Sequence, residues 1–318
     1  MNIKKIGLTA LAASLVSVSA HAGEMSVAGG ASITIKNNSG TDGGKNITMG
    51  NQLTFSGGGE LDNGLNVALS FVLDHADNVA SGFDSHSITV SSDSLGSITV
   101  AGDGTGNAQS ALDTTAAGDI WDNGFTYTGA NTAYTAMGGS DANNNKSINY
   151  TLPTLMDDLS VAVSYSGQTT ATNSTTAFGV TYTGVEGLSV SYGAGEAGST
   201  TANTAADVTT MKASYAIGSF TAAVSNTEND LTGTGTDEEM SSWKLSYTVS
   251  DDLSVSYGEE THETSGSSVD EEFDAISVSY TTGGMTITAA QYNATGLANT
   301  AGSANEAARW KLSTSFAF

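Results

Sequence analysis

Apolar and polar residues alternate along most of the chain, and a segment close to Leu-Ser-Val-Ser-Tyr returns beside several tight turns. It occurs at Leu159–Tyr165, Leu188–Tyr192, Leu253–Tyr257 and Ile276–Tyr280. In a β-strand, this alternation puts the apolar side chains on one face and the Ser and Thr side chains on the other. Many such strands with no amphipathic helix to cover them require lipid on one side and water on the other. The pattern therefore predicts an all-β protein, a transmembrane antiparallel β-barrel.

Short turns rich in Asn, Asp, Gly and Ser punctuate this pattern, as in β-hairpins. They lie at residues 61–64, 92–96, 156–158, 184–187, 217–219, 250–252 and 282–284. Longer polar stretches between them, such as 167–175, 195–207, 226–239 and 259–272, predict long loops at the other end of the barrel. Short periplasmic turns and long outer loops are typical of outer-membrane barrels.

The turn spacing also predicts the number of strands. Seven turns join fourteen strands, and a first strand at Ser26–Ile35 and a last at Ala307–Phe318 bring the number to sixteen. The gap between Asp93 and Asp157 is about twice as long as the others, which predicts one oversized loop at residues 103–146. An additional hairpin inside this gap, at residues 121–127 and 132–137, would give eighteen strands instead.

Tyrosines recur at both ends of the predicted strands, on the apolar face. Such placement predicts two aromatic belts at the two membrane interfaces. One belt contains Tyr182, Tyr215, Tyr247 and Tyr280, and the other contains Tyr165, Tyr192, Tyr257 and Tyr292. All 11 tyrosines follow residue 120, so strands 1–5 lack a belt. We expect these five strands to form a subunit interface rather than to face lipid.

The amino-terminal segment predicts export. Lys4 and Lys5 precede an apolar run at Ile6–Val18, and a small-x-small cleavage site follows, with Ala22 and Gly23 on either side of the cut. The run is too short for a transmembrane helix, which needs about 20 residues. We therefore expect a signal peptide at residues 1–22 and a mature barrel domain at residues 23–318.

The charge balance limits the possible partners. The chain has nine basic and 33 acidic residues; loss of Lys4 and Lys5 leaves seven basic residues and a net charge of −26. Such a surface repels nucleic acids. The chain has no cysteine and a single proline, Pro153, which suits a protein made mostly of paired strands. A mean hydropathy of −0.10 is expected when only alternate residues face lipid. No arrangement of catalytic residues is evident.

At this point the mature chain resembles the trimeric general-diffusion porins of Gram-negative outer membranes, most closely the α-proteobacterial type. The most specific residues of the resemblance are the last nine, an alternating strand with Trp310, Leu312, Phe316 and a terminal Phe318. In that family, such a strand is the signal read by the outer-membrane assembly machinery. The resemblance implies sixteen strands, a homotrimer, and a long third loop folded into the lumen. None of these motifs identifies a solute.

The resemblance also implies a constriction site. The long loop would carry its acidic residues, which are Asp103, Asp113, Asp119, Asp122 and Asp141. In the family, acids on this loop face basic residues on the opposite wall. Strand alternation puts four basic residues inside the barrel, namely Lys212, Lys244, Arg309 and Lys311. Arg309 is the only arginine, so this basic group is smaller than the family pattern.

These features predict passive diffusion of small hydrophilic solutes and ions, with modest cation selectivity, because no basic residue occurs between Lys45 and Lys146. No resident cofactor or metal site is expected. Acidic runs at 237–239, 259–260 and 270–272 are expected in outer loops, where they could loosely bind Ca²⁺ or Mg²⁺ beside lipopolysaccharide, or remain solvated. Two alternatives stay open: a substrate-specific outer-membrane channel, and a surface adhesin or layer protein built as a sandwich or solenoid.

Overall fold

Sixteen antiparallel strands close into one barrel in a computed structural model of the chain. The structure describes residues 25–37, 44–74, 85–103, 106–123, 125, 147–167, 174–197, 206–231 and 236–318. The strands are β1 (Met25–Asn37), β2 (Lys45–Glu60), β3 (Asn66–Asp74), β4 (Ser85–Ser92), β5 (Gly96–Asp103), β6 (Ser147–Thr151), β7 (Leu159–Ser166), β8 (Thr175–Val185), β9 (Leu188–Ala197), β10 (Ala206–Ile217), β11 (Phe220–Leu231), β12 (Glu238–Ser250), β13 (Leu253–Thr264), β14 (Glu271–Thr282), β15 (Met285–Thr295) and β16 (Ala307–Ala317).

Each strand pairs with its neighbours in sequence, and β1 pairs with β16 to close the barrel. The predicted count of sixteen is confirmed, because β5 pairs directly with β6 and leaves no place for a further hairpin. The closed barrel also excludes the sandwich or solenoid of the adhesin alternative. None of the helices in the described residues is long and apolar enough to cross a membrane.

Alternation along the strands puts apolar side chains outside and polar ones inside. On β12, Trp243, Leu245 and Tyr247 are exposed on the outer surface, whereas Ser242 is buried in the interior. All seven short turns lie at one end of the barrel, where the predicted turn segments connect successive strands. Gly187, for example, takes a φ of 78° in the β8–β9 turn, a conformation that glycine adopts without steric cost.

The ends of β16 and β1 meet at the closure of the barrel. The N–H of Gly29 donates to the carbonyl oxygen of Phe318 (2.7 Å), and the N–H of Phe318 donates to the carbonyl oxygen of Gly29 (3.0 Å). Leu312 and Phe316 project outwards, and Phe318 is 77% exposed. The predicted leader, with Ala22 and Gly23, lies outside the described residues.

One predicted belt residue is on the wrong face. Seven of the eight belt tyrosines are exposed on the outer surface, but Tyr292 faces the interior. Its cross-strand partner on β14 is Ala275, whereas the outward-facing Tyr280 pairs with Ile287. Residues 287 and 292 differ by an odd number, so the alternation that puts Ile287 outside puts Tyr292 inside.

Most residues of the acidic runs lie in strands and not in loops, because the strands extend further than predicted; Asp237 and Asp270 do precede a strand. Glu238 and Glu239 belong to β12, Glu259 and Glu260 to β13, and Glu271 and Glu272 to β14. Since neighbours in a strand point to opposite faces, each run has carboxylates on both faces of the barrel wall. Glu260 and Glu271 are buried in the interior, whereas Glu259 and Glu272 face outwards.

Candidate functional site

The described part of the loop between β5 and β6 lies inside the barrel. Its described residues, 106–123 and 125, include two short 3₁₀ helices at Ser110–Leu112 and Ile120–Asn123. We refer to these residues as the constriction loop. Asp103 ends β5, and Asp141 lies outside the described residues.

The first half of the constriction loop is hydrogen-bonded to hydroxyl groups of the barrel wall. Main-chain and amide groups of the loop donate to inward-facing Ser and Thr side chains on four strands. The bonds are Ala108 N–H to Ser164 Oγ (2.9 Å), Gln109 Nε2 to Thr210 Oγ1 (2.9 Å), and Ala116 N–H to Ser225 Oγ and Ser242 Oγ (both 2.8 Å). The loop thus follows the wall from β7 to β12.

Glu260 on β13 holds the second half of the loop. Its carboxylate accepts hydrogen bonds from the N–H of Ile120 and the N–H of Trp121, each at 2.9 Å, and from the hydroxyl of Thr115. The side chain is only 1% exposed. A buried carboxylate is costly unless several donors satisfy it, so these bonds fix Glu260 and the loop to each other.

Three inward-facing glycines allow the loop backbone to approach the wall. A Cβ at Gly179 on β8 would lie 2.5 Å from the carbonyl oxygen of Ala108. A Cβ at Gly193 on β9 would lie 3.2 Å from the Cα of Gln109, and one at Gly258 on β13 would lie 3.0 Å from Ala117. Any larger residue at these positions would push the loop towards the centre of the barrel.

The four basic residues predicted to face inwards all lie against this loop. Lys212 Nζ donates to the carbonyl oxygen of Thr114 at 2.6 Å, and Lys311 Nζ donates to Asn123 Oδ1 at 3.0 Å. Arg309 donates to the carbonyl oxygen of Asn123, and a Cβ at Gly118 would lie 3.9 Å from Lys244 Nζ. This differs from the expected arrangement, because the basic residues lie under the loop and not across an open passage from it.

The loop acids have different environments. Asp119 accepts a hydrogen bond from the N–H of Thr115 at 2.9 Å, so it stabilises a turn of the loop itself. Asp113 is half-buried. Asp122 is exposed in the interior, close enough to Lys36 on β1 and Lys311 on β16 for electrostatic interaction with both.

The inner face of β1 to β4 carries a row of small hydroxyl residues. Ser26, Ser56, Ser70 and Ser87 are cross-strand neighbours in one row on β1 to β4. In the next row, the Oγ1 atoms of Thr89 and Thr99 are 2.8 Å apart. Lys36 is the only basic residue that β1 to β5 present to the interior within the described part of the chain. The inner face of β1 to β5 is therefore hydrophilic, with Lys36 and Asp74 among its few charged groups.

Sequence reasoning missed Glu260 because it placed the 259–260 run in a solvated loop. The alternation of side chains between the two faces of β13 could have identified Glu260. Tyr257 faces outwards, so a strand that continues past Gly258 turns Glu260 inwards, at the level of the loop. Within the described residues, no group of three or more His, Asp or Glu side chains is arranged to hold a metal ion.

Comparison with known proteins agrees with this architecture. The profile of the Gram-negative porin family matches residues 7–317. Solved structures with the same fold include a porin refined at 1.8 Å (17% identity, TM-score 0.67), the anion-selective porin from Comamonas acidovorans (16%, 0.66) and the trimer form of OmpT from Vibrio cholerae (16%, 0.64). In each comparison, 93% of this chain is covered and 100% of the other chain. No curated protein sequence is similar enough to count as a match.

A closed barrel that is apolar outside and polar inside, and that is narrowed by an internal loop, defines a channel-forming protein of the outer membrane. The family match extends over nearly the whole chain. The chain belongs to the Gram-negative porin family.

Proposed function

We propose that this porin forms a water-filled channel for passive diffusion of small hydrophilic solutes and ions, and that its narrowest part lies between the constriction loop and the inner wall of β1 to β5. The observation that carries the proposal is the fixed position of the loop against β7 to β16. A hydrated passage spares a solute the cost of crossing hydrocarbon, and the loop limits the size of that solute.

We further propose modest cation selectivity. Lys212, Arg309 and Lys311 are occupied by loop oxygen atoms, whereas Asp122 is exposed in the passage. Carboxylates raise the local concentration of cations and lower that of anions.

We also propose a homotrimer that is assembled through β1 to β5. The outward-facing side chains of these strands include Ile33 (43% exposed), Leu69 (41%) and Ile98 (47%). They carry no tyrosine belt, which supports contact with protein instead of a lipid interface. The V. cholerae relative is described in a trimer form.

The test of selectivity is the reversal potential in planar bilayers under a KCl gradient. We expect a sign that corresponds to cation preference in the wild type, and a smaller value for Asp122→Asn. Asp93→Asn removes an equal charge from a short periplasmic turn and should leave the potential unchanged. An anion-selective wild type, or an Asp122→Asn channel indistinguishable from it, would contradict the proposed role of the loop charge.

A further inference from the structure

The loop between β15 and β16 contacts the segment of the constriction loop that contains Ala117, Ile120 and Phe125, which we call the tip. We call residues 296–306 the outer loop. Leu297 in this loop is 1% exposed. It belongs to a buried apolar cluster with constriction-loop residues Ala117, Ile120 and Phe125 and with wall residues Phe273, Ala294 and Ala307. The rings of Phe125 and Phe273 are 5.5 Å apart. The tip is therefore held between the wall and a second loop.

A buried carboxylate holds the outer loop in this position. Glu271 on β14 is 2% exposed, and its Oε1 accepts a hydrogen bond from the N–H of Ala298 at 2.6 Å. Its other oxygen lies 2.8 Å from His262 Nδ1 on β13. Because Ala298 directly follows Leu297, this bond fixes the leucine over the tip of the constriction loop.

The backbone at the same point is strained. Ala298 and Asn299 have φ values of 58° and 53°, in the left-handed region that residues with a Cβ seldom adopt. Gly296 also has a positive φ, and a Cβ at this position would lie 2.1 Å from the carbonyl oxygen of Asp270. Such a conformation persists only where the surrounding contacts enforce it. Here the contacts are the Leu297 packing and the Glu271 bond.

We propose that Leu297, Ala298 and Glu271 form a clamp that positions the tip of the constriction loop and thereby sets the width of the passage. Arg309 and Lys311 on β16 also bind the tip, through Asn123. The outer loop thus contributes to the constriction without lining it, and its displacement allows the tip to move. This inference rests on the proposed role of the constriction loop in the channel.

The test compares single-channel recordings of matched variants. Leu297→Ala removes the clamp side chain, whereas Leu155→Ala makes the same truncation in the β6–β7 turn, where Leu155 is 65% exposed. Glu271→Ala removes the buried anchor, whereas Glu272→Ala changes the next residue, which faces outwards. For Leu297→Ala we expect the time spent in substates of altered conductance to rise about 30-fold (about 2 kcal/mol). Glu271→Ala should shift it in the same direction, and both controls should match the wild type.

Gel mobility before and after boiling verifies that each variant is a folded oligomer. If folded Leu297→Ala and Glu271→Ala channels spend the same time in substates as their controls, the clamp is refuted. If Leu297→Ala does not fold, the Glu271→Ala and Glu272→Ala pair decides by the same criterion. Absence of conductance from the wild type and both controls would refute the proposed channel instead, so the two failures are distinguishable.

Discussion

The two parts of the barrel, β1–β5 and β7–β16, use the same strand alternation for different purposes. On β7 to β16 the inner face carries hydroxyls, glycines, Glu260 and basic residues that bind the constriction loop, and the outer face carries tyrosines. On β1 to β5 the inner face is mostly hydroxyl surface, and the outer face carries aliphatic residues and the stacked rings of Phe55 and Phe71. One part supports the loop, and the other, in our proposal, borders the passage and the neighbouring subunits. The difference indicates that a loop inside a barrel needs a wall shaped to hold it.

Among single substitutions, Glu260→Ala is expected to have the largest effect on the attachment of the constriction loop to the β7–β16 wall. Loss of the Glu260 carboxylate leaves the N–H groups of Ile120 and Trp121 without their acceptor. Each unsatisfied buried group costs about 1–3 kcal/mol of stability. The loop should leave the β7–β16 wall, with a change in conductance and a higher size limit for sugars in liposome-swelling assays. Glu259→Ala, one residue earlier and on the outer face, should change neither. Equal swelling rates for the two variants would show that Glu260 does not hold the loop.

Charged substitutions on the outer face of β1 to β5, which lacks tyrosines, should have the next largest effect. Ile33→Asp and Ile98→Asp put an uncompensated charge into the proposed subunit contact, at a cost of about 3–5 kcal/mol. We expect folded monomers by light scattering in mild detergent. Leu245→Asp, on the outer face of β12, should leave the oligomer intact. Trimers of Ile33→Asp and Ile98→Asp would place the subunit contact elsewhere.

A smaller effect, a loss of oligomer stability, is expected when a methyl group is added to a glycine that the loop backbone approaches. Gly179→Ala puts a methyl group against the carbonyl of Ala108, and overpacking of this kind costs about 1–3 kcal/mol. Gly30 is an inward glycine on β1, where a Cβ would lie 3.6 Å from the carbonyl oxygen of Phe316. Gly179→Ala should lower the temperature at which the oligomer dissociates on gels, and Gly30→Ala should not. The same shift for both would mean that contact with the loop is not the cause.

Much of the fold follows from the sequence because alternation and turn chemistry are local. Tyr182, Tyr215 and Tyr247 could be placed outside from their neighbours alone. Tyr292 could not be placed by its residue type, since a belt tyrosine and a tyrosine under a loop differ only in strand parity. Prediction of the inward position of Glu260 required knowledge of where β13 ends, and that depends on pairing with β12 and β14. The position of the basic residues under the loop depends on how the loop folds back, and no local pattern encodes that.

The central claim is that solutes pass along β1 to β5 and not along the wall beneath the loop. The chain contains no cysteine, so single cysteines can report the path directly. Ser70→Cys on β3 and Ser225→Cys on β11, where Ser225 is 8% exposed beneath Ala116, form the matched pair. A charged, membrane-impermeant thiosulfonate should reduce the current through Ser70→Cys channels irreversibly and leave Ser225→Cys channels unchanged. Block of Ser225→Cys together with an insensitive Ser70→Cys would contradict the account.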